Sequence, residues 1–212
     1  SSVTISISPA EQSPVYVNSA GEIEIVTDEG AAADVGIVYE NKRMMVVVDP
    51  VVFPPDRSPG TYQRVIEKAQ LNGIGGTIIV PIVDQNVVFV ELFRHSTRRW
   101  EWEVPRGYQE PGLSPEENAM KETNEEIGVM PLRVQELGPI TPNTGLLSSE
   151  TTAFAAFLPN GCVDELRGQH SESIRETRAL NFSELDPFIL NHVRCGFSLS
   201  ALLLARIHGL LG

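Results

Sequence analysis

GYQEPGLSPEENAMKETNEEIGV (Gly107–Val129) sets six glutamates, Glu110, Glu116, Glu117, Glu122, Glu125 and Glu126, around a single lysine. Ser114-Pro115-Glu116-Glu117 reads as a helix start. Ser is at the N-cap, Pro at the first helical position, acids fill the first turn, and Glu117 closes a capping box. Gly128 stops the helix. A helix over 115–127 stacks Glu122, Glu125 and Glu126 at i, i+3 and i+4 on one face. These like charges repel, and carboxylates near a helix C-terminus also oppose the macrodipole. A solvated acidic face is the ordinary explanation of a Glu-rich helix. Here the glutamates come late in the helix, and a glycine turn at Gly107 lets backbone carbonyls approach the same point. Both features point to a hard dication, Mg²⁺ or Mn²⁺, which prefers oxygen ligands and keeps waters that a phosphate can displace.

Composition agrees with a metal-recruiting enzyme. The 212 residues carry 16 basic and 28 acidic side chains, a net charge of −12, and 42% apolar residues. That supports one large domain, or a domain with a smaller companion. It argues against a nucleic-acid partner, which needs a basic face. No apolar run approaches a membrane span, so no membrane role is expected. The N-terminal SSVTISISPAEQSP has no basic-then-hydrophobic order, and no signal peptide is expected. Cys162 and Cys195 match no zinc spacing and suggest thiols of a cytoplasmic protein.

Upstream, residues 1 to about 20 read as a polar tail. EIEIV (22–26), DVGIVYE (34–40) and MMVVVDPVVF (44–53) read as strands, and PPDRSPG (54–60) as a loop. TYQRVIEKAQ reads as a strand or a short helix. NGIGG (72–76) marks a hinge, dividing a small β-rich region, 1–72, from a main domain, 73–212. TIIVPIVD and NVVFVELF form two apolar strands around a tight turn, and STRRWEWEVPRG is partly extended. TAFAAFLP is a further strand, GCVDELRGQHSES a loop, and FSELDPFILNHV and FSLSALLLARIHGLL closing helices. The expected class is α/β (α+β), a mixed sheet sandwiched between helices.

Residues 107–129 resemble the Nudix box, the signature of the Nudix hydrolases. Its pattern is Gly, five residues, Glu, seven residues, Arg-Glu-aliphatic, one residue, Glu-Glu, one residue, Gly-aliphatic. Gly107, Glu122, Glu125, Glu126, Gly128 and Val129 fall in register; Leu113, Lys121 and Thr123 depart from the Glu, the Arg and the aliphatic residue. In the family that Glu and Arg brace the loop against the helix. The departures therefore imply a lost ion pair with the metal face kept, and they leave an inactive nucleotide-sensing module as the alternative. Glu110 reads as a solvated loop residue.

GGTIIVPIVDQNVVFVELFRHSTRRWEWEVPRG is similar to the entry to the box in ADP-ribose pyrophosphatases. The resemblance implies a homodimer in which the N-terminal β-region takes part, and Mg²⁺-dependent hydrolysis (Mn²⁺ substituting) of a nucleoside diphosphate sugar, ADP-ribose first, to AMP and ribose 5-phosphate. It places Glu122, Glu126 and the carbonyl of Arg106 on metal, with Glu125 as a further ligand or a catalytic brace for water. Arg94, Arg99, Glu103 and Gly145 are placed on the substrate side. The general base is expected in the late loop, at Glu172, with His170 and Glu165 as substitutes. Thr144 stands where ADP-ribose-specific members carry Pro, which leaves the sugar open. Trp100 and Trp102 are stacking candidates, read as pointing to opposite faces of their strand.

Overall fold

The computed structural model describes residues 24–25, 36–53, 58–72, 75–167 and 174–212. They fall into two compact units, Ser1–Gly73 with Asn143–Ser149, and Ile74–Pro142 with Glu150–Gly212.

In the first unit the Val-rich run becomes a ten-residue strand, β3 (Met44–Phe53). It pairs along its whole length with β4 (Ser58–Glu67), while β2 (Gly36–Glu40) and the short β1 (Glu24–Ile25) share its other edge, all antiparallel. The segment read as strand or short helix is both: β4 runs to Glu67 and a 3₁₀ turn follows over Lys68–Asn72. Met45, Val47 and Ile66 form a small core. Segment Asn143–Ser149 is tied to β4, where Val65 N–H donates to the Leu146 carbonyl at 2.7 Å and Ser148 N–H to the Val65 carbonyl at 3.0 Å.

The second unit is built on β5 (Gly76–Val83), β6 (Asn86–Arg94), β7 (Arg99–Glu103), β8 (Arg106–Tyr108), β9 (Arg133–Ile140), β10 (Thr151–Phe157) and β11 (Ile174–Asn181). They make one mixed sheet in the order β11-β6-β5-β10-β9, with β7 on β6 and β8 on β5; β5 and β10 are parallel. Helix α1 (Pro115–Ile127) covers one face, and α2 (Leu185–His192) with α3 (Gly196–Ile207) the other. Successive residues on a strand point to opposite faces. Ile78, Val80, Val87, Phe89, Ala153 and Ala155 accordingly join the α2–α3 core, and Ile79, Phe154 and Ala156 pack with Ala119 of α1. Coverage on both faces explains why β5, β6 and β10 read as unbroken apolar runs. No helix among the described residues is long and apolar enough to cross a membrane.

The ends of α1 follow from its sequence. Ser114 Oγ accepts from Glu117 N–H and the Glu117 carboxylate accepts from Ser114 N–H, while Gly128 closes the helix at φ 78°. Two strands carry no legible pattern. β11 is mostly polar and only partly buried, and β9 mixes buried and exposed residues around Gly138 at φ 132°.

Gly76 sits close against its neighbouring strand: a Cβ there would lie 2.8 Å from the Gly107 carbonyl oxygen. That obstacle is backbone, so Gly76→Ala should cost about 1–3 kcal/mol. Chemical denaturation measures it, and an unchanged midpoint would contradict the packing described.

Candidate active site

The site grows from the junction of β8 with α1. Strand β8 lies antiparallel to β5, pairing Arg106 with Ile78 and Gly107 with Thr77. The loop that leaves it is held by amides. Asn118, fully buried on α1, donates to Thr77 Oγ1 at 3.0 Å and to the Tyr108 carbonyl at 3.3 Å, and accepts from Glu110 N–H at 3.0 Å. Gln109 Nε2 donates to the Leu113 carbonyl at 2.8 Å. This single turn of chain sets the separation of helix and strand.

Across it, the carboxylates meet the strand. An added Cβ at Gly107 would lie 2.0–2.3 Å from the Glu122 carboxyl group, so Glu122 rests directly on that glycine. Glu126, only 4% exposed, accepts from Arg106 N–H at 3.3 Å through Oε1. Glu122 and Glu126, one helical turn apart, thus converge on the Arg106–Gly107 backbone. Two carboxylates beside a glycine turn are the oxygen-rich donor set that a hard dication takes. Glu125 is placed elsewhere: its Oε2 accepts from Lys121 Nζ at 2.6 Å. Among the described residues no three His, Cys, Asp or Glu side chains converge as a group able to hold a metal ion.

Lys121 also lies 3.1 Å from Glu110 Oε1. The expected loss of the bracing ion pair is therefore corrected, a substitute pair being present, while Glu110 is solvent-exposed as expected. Three residues before the vacated Glu position, Glu110 reaches the lysine that replaces arginine. The hydrogen bond to Glu125 raises the Lys121 pKa above its ordinary value. Thr123 in the aliphatic position is fully buried without cost, since its hydroxyl donates to the Ala119 carbonyl at 2.6 Å.

Arg94 and Glu103 form a two-bond pair, Nε to Oε1 at 2.8 Å and Nη2 to Oε2 at 2.7 Å, and Arg106 Nε lies 3.3 Å from the same carboxylate. Burial works to raise the Glu103 pKa, but the hydrogen bonds from Arg94 and the charge of Arg106 outweigh it and hold Glu103 below the usual range. Burial likewise works against the Arg94 charge, and the Glu103 bonds reverse that. The Arg106 guanidinium also sits 5.0 Å from the Phe197 ring centroid. Arg99 is exposed at the start of β7, in register with Arg94.

Gly145 belongs to the other unit, where its carbonyl accepts from Tyr62 Oη at 2.9 Å. Glu165 is exposed in a 3₁₀ turn (Cys162–Glu165), and Arg167 N–H beyond it donates to the Ile127 carbonyl at 2.8 Å. Glu172 and His170 lie outside the described residues. Trp100 and Trp102 share one face of β7, as i and i+2 residues of a strand must, which corrects the opposite-face expectation. Trp102 packs edge-on to Phe188 in the core, and Trp100 stands at the surface against Phe93 and beneath Arg175. Asn118 is the residue that sequence reading missed. Its signal was an asparagine inside a helix, where such a side chain disfavours helix unless it bonds elsewhere.

A model of the NUDIX domain family matches residues 75–195, more than half of the chain. The chain belongs to the NUDIX domain family. Among solved structures, an ADP compounds hydrolase shares the fold with a TM-score of 0.65 at 23% identity, over 83% of this chain and 91% of that one. A search of curated proteins by sequence finds no match.

Breaking the Arg94–Glu103 pair leaves a buried carboxylate short of donors. Arg94→Met should lower unfolding free energy by about 3 kcal/mol near neutral pH. Because the folded-state pKa of Glu103 is depressed, the pair's stabilisation is present above the ordinary carboxylate value of 4.5 and is lost as pH falls through the lower folded value. Urea titrations from pH 7 to pH 3 should therefore show the two proteins converging in acid. A gap that stays constant would refute this account.

Proposed function

We propose that this NUDIX protein hydrolyses the pyrophosphate bond of a nucleoside diphosphate sugar, with ADP-ribose giving AMP and ribose 5-phosphate as the first candidate. The observation that carries the reading is the convergence of Glu122 and Glu126 on the Arg106–Gly107 backbone. The fold shared with an ADP compounds hydrolase supports the nucleoside diphosphate class.

In this reading Glu122, Glu126 and the Arg106 carbonyl hold Mg²⁺, or Mn²⁺ in its place. The metal, when bound, supplies Lewis-acid neutralisation of the phosphoryl oxygens. The chain does the positioning. Glu103 fixes Arg94 and Arg106, so that the Arg94 edge left free by Glu103 and the guanidinium of Arg99 orient the diphosphate. Proton removal from the attacking water falls to the segment 164–176, with Glu172 as the base and His170 or Glu165 as substitutes. Of the described residues in that segment, Arg167 is bonded to the end of α1 and Ile174 pairs with Leu92. Glu125 contributes once Lys121 releases it. We further place Gly145 on the substrate side and read the protein as a cytoplasmic homodimer whose N-terminal β-region, 1–72, serves assembly.

The Lys121–Glu125 bond favours a second reading, a domain that binds the nucleotide without turning it over. Glu126→Gln separates the two. In the enzyme it lowers ADP-ribose turnover with Mg²⁺ at least about a hundredfold while the unfolding midpoint holds. A parent that binds ADP-ribose and releases no AMP on prolonged incubation establishes the second reading instead.

Gly107→Ala tests the metal geometry separately. The obstacle to the new methyl is the movable end of Glu122, so the fold should survive while Mn²⁺ affinity, read by titration calorimetry, drops about tenfold or more. Unchanged affinity would remove Glu122 from the metal site.

A further inference from the structure

Asn118, Glu122 and Glu126 follow one another at four-residue intervals on α1, so they lie along one side of the helix at steps of about 6 Å. Each meets β8 or the loop that leaves it. Asn118 Nδ2 donates to the Tyr108 carbonyl and its Oδ1 accepts from Glu110 N–H; Glu122 rests on Gly107; Glu126 accepts from Arg106 N–H. The contacts thus run along β8 in reverse order, and only the first of the three side chains is neutral. Asn118 also reaches past β8. Its Nδ2 donates to Thr77 Oγ1, 1% exposed on β5, and Thr77 is the register partner of Gly107. One amide therefore ties α1 to both strands behind the carboxylates.

The carboxylates do not hold this arrangement by themselves. Glu122 and Glu126, one turn apart, repel each other, and Glu126 lies in the last turn, where the macrodipole disfavours negative charge. Rotating the helix by one residue, about 100°, would carry both away from the strand toward water, which screens them. The amide opposes that rotation. It is fully buried, and turning the helix would break its bonds and leave buried donors and acceptors on β5 and the loop without partners. It needs no cation to do so.

We infer that Asn118 is a positioning residue of the metal site. It fixes α1 against β5 and β8 before a metal arrives, so that Glu122 and Glu126 face the Arg106–Gly107 backbone in the metal-free protein, and it acts through those two carboxylates. This rests on the reading above in which they take the dication, and it adds how that site is held ready.

The test reads metal affinity and loop protection, not turnover. Mn²⁺ is titrated calorimetrically into the full chain and its variants, with thermal unfolding reporting the fold. Asn118→Ala should weaken Mn²⁺ binding about tenfold or more. Leu202→Ala, a core truncation on the α2–α3 face of the sheet, controls for lost stability and should keep the parent affinity. In the metal-free parent the Glu110 amide, which donates to Asn118, should exchange slowly with solvent deuterium, and in Asn118→Ala rapidly. Parent-like affinity in folded Asn118→Ala, an equal loss of affinity in Leu202→Ala, or a rapidly exchanging Glu110 amide in the metal-free parent overturns the role. Thr77→Val removes one acceptor of the amide and no part of the loop, and should weaken binding by a smaller factor. If Asn118→Ala does not fold, parent-like affinity in Thr77→Val overturns the role instead. Glu126→Gln separates the inference from the reading beneath it. Affinity lost there but kept in Asn118→Ala rejects the positioning role alone, whereas affinity kept in Glu126→Gln rejects the metal site and the role with it. Dependence on Asn118 in a protein that cleaves no nucleoside diphosphate sugar leaves the role standing and rejects the proposed reaction.

Discussion

The space that a side chain at residue 107 would need is taken by the carboxyl group of Glu122, and the space beside Gly76 is taken by the Gly107 carbonyl. Strand β8 thus pairs closely with β5 and meets the Glu122 carboxyl group of α1, with glycine at both contacts. This approach lets two glutamates near the C-terminal end of a helix reach main-chain atoms of a strand. It also tightens the electrostatic problem. Glu125 and Glu126 lie where the helix dipole disfavours negative charge, and the last turn of α1 carries no basic residue. The stack concentrates charge that the helix does not neutralise by itself, so the stability of this corner depends on what surrounds it.

What surrounds it is rebuilt from unusual parts. With Leu113 and Lys121 in the two bracing positions, the loop is held by Gln109 to the Leu113 carbonyl, by Asn118 to both sides of the turn, and by Glu110 to Lys121. Neutral amides replace part of an ion pair, which suits the site: a fully buried Asn118 satisfies its partners without adding charge beside three carboxylates. Glu103 does the corresponding work on the strand side, gathering two arginines that would otherwise repel each other.

The sequence made the helix legible almost to the residue, because capping residues, proline and a terminal glycine are local signals that no tertiary contact overrides here. The apolar strands β5, β6 and β10 were equally plain, since burial on both faces leaves no polar interruptions. β9 and β11 were not legible for a different reason: only Leu137, Ile140 and Ile174 of their side chains are buried in the core, so polar and partly exposed residues interrupt any apolar run, and pairing with a neighbouring strand completes the hold. Among site residues, Glu122 and Glu126 were legible from helical spacing. The placements of Glu110 and Glu125 were not, because both depend on how far a single flexible lysine reaches across a loop. Asn118 carried a weak signal that only the fold could interpret. Trp100 and Trp102 turned on a simple parity, and the strand obeyed it.

The lysine is the most informative departure. An arginine in its place would present a planar fork suited to one carboxylate, whereas an ammonium is a compact charge with three donors that can serve two acceptors from different directions. Lys121 does serve two, Glu110 in the loop and Glu125 on its own helix. One side chain therefore ties the loop to the helix: with arginine committed to a single partner, the Glu110 and Glu125 contacts would be independent, whereas the lysine links the two carboxylates.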